Sequence, residues 1–355
     1  MTPPAKPPAA RFQNAPWLRQ WGLLVLGSLL FAAILTTARL PAALLLGPML
    51  AGILLGSNGA SIRVPRLAVF AAQTIVGCLI ARSITGDIVY AFVKDWPLLL
   101  ATVLAIIATS AALGWSMSRA KVLPGTTAVW GSAPGGASVM MIMAGAFGAD
   151  ARLVAFMQYS RVVLVAAVAS VVARCWVAGP AATPAAAADV AWGSFTATVL
   201  TAASGGAIGL ALRIPAGALL LPMALAATLE AMGLLTVALP QWLLALSYAS
   251  LGWSIGLSFN RDILQHAARA LLPVTLAVSL MIGVCGLLAA VLVHSAGIDP
   301  LTAYLATSPG GMDSVAIIGA ASNADLSFVM ALQVARLLLV LLLGPPLARF
   351  IAQRL

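Results

Sequence analysis

The sequence predicts an all-α integral membrane protein built as two tandem, inverted repeats, each of about five transmembrane helices plus one Pro-Gly-Gly re-entrant hairpin. Three observations lead there. Of 355 residues, 62% are hydrophobic and only 8% charged, whereas a soluble domain carries roughly 25% charged residues and could not hold so apolar a surface in water. Short motifs recur later in the chain at a nearly constant displacement. The basic residues also fall into loops in the way that inverted halves require.

Taken in order, residues 1–16 are rich in Pro and Ala with Lys6 and Arg11, and read as a disordered cytoplasmic tail. From about Trp17 to Thr37 runs the first membrane helix; it is longer than a signal-peptide core and has no A-x-A cleavage site, so it is expected to be retained. Apolar segments follow at about Leu40 to Gly56, Leu67 to Ser83, Pro97 to Met117, Thr126 to Phe147 and Leu153 to Ala178, each bounded by charge or by Pro and Gly. They complete the first repeat, residues 17–178. Residues 179–189 contain no Lys or Arg and read as the loop between halves, and residues 190–355 form the second repeat. Each crossing consumes about 20 residues, so on the order of ten to twelve crossings fill the chain and leave no room for a soluble catalytic domain. Cys78, Cys175 and Cys285 lie in apolar segments without metal or C-x-x-C spacing and read as packing residues.

The duplication is read from matched positions. Arg39-Leu40-Pro41-Ala42 recurs as Arg213-Ile214-Pro215-Ala216, and Pro48-Met49 as Pro222-Met223, displaced by 174 positions. Gly77, Ile80, Ser83, Asp87 and Ile88 match Gly252, Ile255, Ser258, Asp262 and Ile263 at 175. Ser132-Ala133-Pro134-Gly135-Gly136, Asp150, Gln158 and Arg161 meet Thr307-Ser308-Pro309-Gly310-Gly311, Asp325, Gln333 and Arg336, again 175 apart.

Basic residues arbitrate between inverted and parallel halves. If each Pro-Gly-Gly segment turns back, Arg19, Arg63, Arg66, Arg119, Lys121, Arg213, Arg261, Arg269, Arg349 and Arg354 all fall on the side of the N-terminus, and Arg39 and Lys94 are the clear exceptions. If the segments cross fully, Arg213, Arg261 and Arg269 land outside and the charge-free linker inside. The inverted arrangement fits better, with both termini cytoplasmic.

The Pro-Gly-Gly segments are the strongest candidate site. Proline removes a backbone donor and glycine permits unusual backbone angles, so a helix must break there and expose backbone groups that only protein or a water-filled cavity can satisfy. Pro134, Gly135, Gly136, Pro309, Gly310 and Gly311, flanked by the hydroxyls of Ser132, Ser138, Ser308 and Ser314, would place half-helix N-termini toward an anion. The plainer reading is a kink or a close-packing spot. Gln158 and Arg161, like Gln333 and Arg336, share a helix face within apolar runs. Buried charge at that depth is costly, so each arginine either meets an anionic solute or is structural, tied to hairpin carbonyls, to Asp150 and Asp325, or snorkelling to the interface. Asp313, whose counterpart is Ser138, would hold a coupling proton or Na⁺, or pair with Arg161 or Arg336; the pairing is the favoured expectation. Gly52/Gly56 and Gly205/Gly209 indicate close helix packing.

At the Gly47-Pro48-Met49 segment, the Pro-Gly-Gly hairpins and the Gln-x-x-Arg helices, the chain resembles the AbrB family of bacterial membrane proteins, over about Trp17 to Ile351. The resemblance implies an inner-membrane protein with a family association to regulation of gene expression. The name is shared with an unrelated small DNA-binding regulator whose features are absent here. Family members often carry an ammonia monooxygenase label, which a residue count opposes: His266 and His294 are the two histidines of the chain, on opposite flanks of one helix. No catalytic role, cofactor or metal is therefore expected. The leading expectation is a secondary transporter of a small anionic solute; the alternative is a membrane-embedded regulator or sensor that affects gene expression without transport. Expected partners are the lipid bilayer, the solute with coupling H⁺ or Na⁺, and a second copy in a homodimer, but not nucleic acid directly.

Overall fold

The computed structural model describes residues 15–352 apart from 39, 41, 83–95, 125, 134–139, 142, 143, 146, 177–191, 215, 216, 260 and 323. The tail up to residue 14, the inter-repeat loop and the first Pro-Gly-Gly motif (Pro134, Gly135, Gly136, with Ser138) thus lie outside the described residues. Among those described, every regular element is helical. The first half contributes α1 (Trp17–Thr37), α2 (Ala43–Ser57), α3 (Arg66–Ala81), α4 (Trp96–Arg119), α5 (Thr127–Ser132) and α6 (Ala151–Trp176). The second contributes α7 (Trp192–Ala211), α8 (Gly217–Ala231), α9 (Gln241–Gly256), α10 (Arg261–His266), α11 (Leu271–Ala296), α12 (Pro300–Thr307), α13 (Met312–Ala320) and α14 (Leu326–Ala352).

Among the described residues, five helices (α1, α4, α6, α7 and α11) are long and apolar enough to cross a membrane. α2, α3, α8 and the apolar part of α14 are shorter; at 1.5 Å per residue, a helix the size of α2 spans roughly 23 Å, against about 30 Å of hydrocarbon. The long helices turn large apolar side chains outward, as lipid requires. On α1 the buried face is Gln20, Leu24, Ser28 and Ala32, at every fourth position, while Leu26, Leu29, Leu30 and Ile34 are exposed. α6 differs: 67% of its apolar span is buried, against 22% for α1 and 39% for α4, which makes it the most buried of the five.

Contacts between the halves exchange partners. α2 packs on α9, and α3 packs on α8. A Cβ on Gly252 of α9 would lie 2.5 Å from the Leu45 carbonyl oxygen and 3.1 Å from the Met49 nitrogen of α2. A Cβ on Gly77 of α3 would meet the Leu219 carbonyl oxygen and, at 3.3 Å, the Met223 nitrogen of α8. Glycine is present at both places because two backbones touch and no side chain fits between them. Gly52 faces Gly256 across the same α2–α9 seam, and Gly205 and Gly209 of α7 face Pro222 and Gly217 of α8. Cys78 and Cys285 are buried as expected of packing residues, whereas Cys175 is exposed near the end of α6.

The α1 end is tied down by a polar contact of the kind lipid-facing helices rarely have. The buried Gln20 accepts from the Ser61 backbone N–H at 2.9 Å and donates to the Ala15 carbonyl at 2.9 Å. Gln20→Leu keeps the volume and removes these bonds, together with the longer ones to Ser61 Oγ (3.2 Å) and from the Ile62 N–H (3.4 Å); we expect it to lower the unfolding free energy in detergent by about 1–2 kcal/mol.

Candidate functional site

The apolar run 126–147 does not continue as one helix. α5 stops at Ser132, and Ala133 is extended (φ −58°, ψ 125°), as the residue before a proline must be to avoid its ring. The second half does the same: α12 stops at Thr307, Ser308 is extended (φ −57°, ψ 136°), and α13 starts after Gly311. α12 begins on Asp299, whose carboxylate accepts from the Thr302 N–H at 2.9 Å, with Pro300 in the first turn. At the other end of each short helix a hydroxyl anchors the break: Ser132 Oγ donates to the Ser110 carbonyl (2.9 Å) and Thr307 Oγ1 to the Cys285 carbonyl (3.0 Å).

Breaking a helix at membrane depth frees carbonyls that no water satisfies, and the Gln-x-x-Arg pairs supply the donors. Gln158 Nε2 of α6 donates to the carbonyls of Trp130 (3.1 Å), Gly131 (3.2 Å) and Ala133 (3.0 Å). Arg161 Nη1 reaches Ala133 O at 2.8 Å, and its Nη2 donates to Gln158 Oε1 at 2.6 Å. On α14, Gln333 Nε2 donates to Leu305 O (3.0 Å) and Ser308 O (3.1 Å). Arg336 Nη1 donates to Ser308 O (2.6 Å) and its Nη2 to Gly310 O (3.0 Å). Both arginines are buried, at 2% and 3% exposure. Of the two roles open for them, the hydrogen bonds display the carbonyl-binding one. A difference remains between the halves: Gln333 Oε1 is buried without a partner among the described residues, whereas Gln158 Oε1 accepts from Arg161.

The two breaks meet at α6. Within the next turn after Arg161, Val162 and Val165 face the second break, where a Cβ on Gly310 would come within 2.9 Å of Val165 and one on Gly311 within 3.6 Å of Val162. α13 also touches α3 of the first half. There Gln73 Nε2 donates to Asp313 Oδ2 at 3.1 Å. This corrects the expected pairing of Asp313 with Arg161 or Arg336: among the described residues its carboxyl is held by an amide, while the Arg336 guanidinium is turned to Ser308 and Gly310. Gly311, Met312, Asp313 and Gln73 are partly exposed, whereas Ser308, Pro309, Gly310 and Ser314 are buried.

Two further residues were missed by motif reading. Thr127 Oγ1 accepts from the Asp150 N–H at 3.1 Å, and Thr302 Oγ1 from the Asp325 N–H at 3.0 Å, pinning each short helix to the start of the long helix that follows. Asp150 and Asp325 in turn accept from the N–H groups of Leu153 (3.2 Å) and Phe328 (3.1 Å), as helix-capping residues. The two threonines stand at the same displacement as the arginines, so the repeat contained the signal for them. Thr127→Val and Thr302→Val should each cost about 1–2 kcal/mol, through loss of the part-buried bond to a backbone donor and, for Thr302, of its bond to Asp299 Oδ2 (3.1 Å) as well, read as a lowered unfolding midpoint in detergent. Among the described residues no three His, Cys, Asp or Glu side chains converge to hold a metal ion.

Comparison with known proteins agrees on the family. The family model described as "Transition state regulatory protein AbrB" matches residues 44–352. A protein of Escherichia coli (strain K12), provisionally named regulator AbrB, is 45% identical over 338 residues, covering 94% of this chain and 97% of its own length. The uncharacterized protein YhjN of Bacillus subtilis (strain 168) is 27% identical over 301 residues, 79% of this chain and 77% of its own. No solved structure matches. With the family model spanning most of the chain and a relative this similar from end to end, the chain belongs to the AbrB family.

Proposed function

We propose that the chain is a secondary transporter of a small anionic solute, with two inverted repeats whose re-entrant hairpins, residues 127–147 and 300–320, form one site near the bilayer midplane. The observation that carries this reading is the double duty of α6: Gln158 and Arg161 hold the first break while Val162 and Val165, within the next turn, face the second. Two broken helices converging on one buried helix is an arrangement that leaves backbone groups for a solute and two bodies able to rock about it. The exchanged contacts of α2 with α9 and α3 with α8 support an internal two-fold relation between the halves. The protein acts without catalysis in the inner membrane, with cytoplasmic termini, coupling to H⁺ or Na⁺, and a homodimer as its assembly.

A regulatory reading stands second and draws on the names of the family and of its Escherichia coli relative. Variants that lose flux yet keep a regulatory phenotype would favour it.

Two measurements test the transporter. Reporter fusions at Pro180 and Arg213 should lie on opposite sides, Pro180 outside; a cytoplasmic signal at Pro180 overturns the inverted repeats. Purified protein should be stabilised by at least one small anion in a thermal-shift panel of carboxylates, sulfonates, amino acids and inorganic ions, since a ligand at 100 times its Kd adds about 2.7 kcal/mol. Proteoliposomes loaded with that hit should exchange it. A panel without a hit moves the assignment to the sensor.

A further inference from the structure

Resting on the transporter reading, we infer that the hairpin turn at the start of α13 takes a zwitterionic, amino-acid-like solute, not a simple anion.

The first turn of α13 is an unfilled set of donors. The N–H groups of Met312, Asp313 and Ser314 have no acceptor among the described residues, and the residue before the helix, Gly311, has no side chain to cap them. The Ser314 hydroxyl joins them. It is 2% exposed and has no partner, although serines elsewhere in this protein donate back to the carbonyl four residues earlier, as Ser110 does to Ile106 at 2.9 Å. For Ser314 that carbonyl is Gly310 O, which Arg336 Nη2 already occupies. The hydroxyl is thereby left over the turn, 3.9 Å from where a Cβ on Gly311 would stand. Three free N–H groups, a free hydroxyl and the positive end of a helix dipole suit one carboxylate.

An anion alone would meet Asp313 in the same turn. Its Oδ2 is held by Gln73, but Oδ1 and the Gln73 carbonyl oxygen make no hydrogen bond among the described residues, and both residues are partly exposed amid buried neighbours. Two adjacent acceptors, one of them a carboxyl, suit an ammonium group. A solute carrying both charges satisfies donors and acceptors together and brings no net charge into a low-dielectric site, where a lone carboxylate beside Asp313 would be repelled. The first hairpin has Ser138 at the Asp313 position, and the second half has Tyr248 at the position matching Gln73, so the ammonium seat belongs to one hairpin only.

The test is thermal-shift titration of the purified full chain with matched pairs that differ in the amino group: alanine and propionate, leucine and 4-methylpentanoate, glutamate and glutarate, each in Na⁺ and in K⁺ buffer at one pH. We expect at least one amino acid to bind tenfold or more tighter than its des-amino partner in both buffers. Asp313→Asn should abolish that preference while the carboxylate still binds, and Ser314→Ala should weaken both members of the pair alike. If Asp313→Asn does not fold, Gln73→Leu provides the same comparison. Equal affinity within the pairs, or a preference that survives both substitutions, overturns the inference and leaves an anion transporter. Carboxylates that match amino acids only in Na⁺ also overturn it, because Na⁺ then takes the seat. Binding by neither class, with inorganic anions and sulfonates also silent, removes the transporter reading and this inference with it.

Discussion

Arg336→Met is expected to lower the unfolding free energy by about 3 kcal/mol, measured in detergent by thermal or denaturant titration. Hydrogen bonds between membrane helices are often weak, about 0.6 kcal/mol on average, because the separated helices find other partners for their side chains. Arg336 is a different case. Its bonds go to Ser308 O and Gly310 O, at 2.6 and 3.0 Å, and these are backbone carbonyls released by a helix break around Pro309. Proline and the turn geometry deny them a helical donor, they are buried, and a charged bond is worth about 1.5–3 kcal/mol, in full at Gly310 O, which is stranded by its removal, and less at Ser308 O, to which Gln333 Nε2 still donates at 3.1 Å. The methionine recovers part of the packing through its flexible chain, so the expected loss sits at the lower end of that sum. Arg161→Met should behave alike through Ala133 O and Gln158 Oε1. A loss below about 1 kcal/mol in both variants would sink the structural role and return the arginines to the solute.

The sequence made the long helices readable, because lipid demands runs such as Trp17 to Thr37 and Leu271 to Ala296 that have no soluble equivalent. It also placed Gln158 with Arg161 and Gln333 with Arg336 on common faces. What they bind was not readable: a carbonyl acceptor has no residue type, and both an anion and a broken helix call for the same donors. Gln73 was hidden for another reason. It lies 240 residues from Asp313, and its counterpart in the second half is Tyr248, so the displacement that marks Thr127 with Thr302 carries no trace of it. Hydropathy alone reads Thr126 to Phe147 as one apolar segment; the Pro134-Gly135-Gly136 motif announced the break, and the extended backbone of Ala133 is its visible effect.

Gly77→Leu and Gly252→Leu are expected to be the most damaging single changes in the chain, each costing about 3 kcal/mol or more and reducing the monodisperse fraction recovered in detergent. Overpacking a well-filled core usually costs about 1–3 kcal/mol, because neighbouring side chains can shift. Here the obstacle is backbone: a Cβ at Gly252 meets Leu45 O at 2.5 Å, and one at Gly77 meets Leu219 O, so relief requires moving whole helices apart along the α2–α9 or α3–α8 seam. The two seams bind one half to the other, and the glycines contact corresponding residues, Leu45 with Met49 and Leu219 with Met223. The two losses should therefore match within about 1 kcal/mol, and the pair of alanine variants should show the same order at smaller size. Gly283 supplies the contrast. It lies in the middle of α11, with open space where a Cβ would be, and Gly283→Leu there exchanges the poorest common helix former for a good one on a lipid-facing surface. It should be neutral or stabilising by about 0.5–1 kcal/mol. Tolerance of leucine at Gly77 but not at Gly252 would mean that the halves are not held by equivalent seams, and the proposed two-fold relation between them would fail with it.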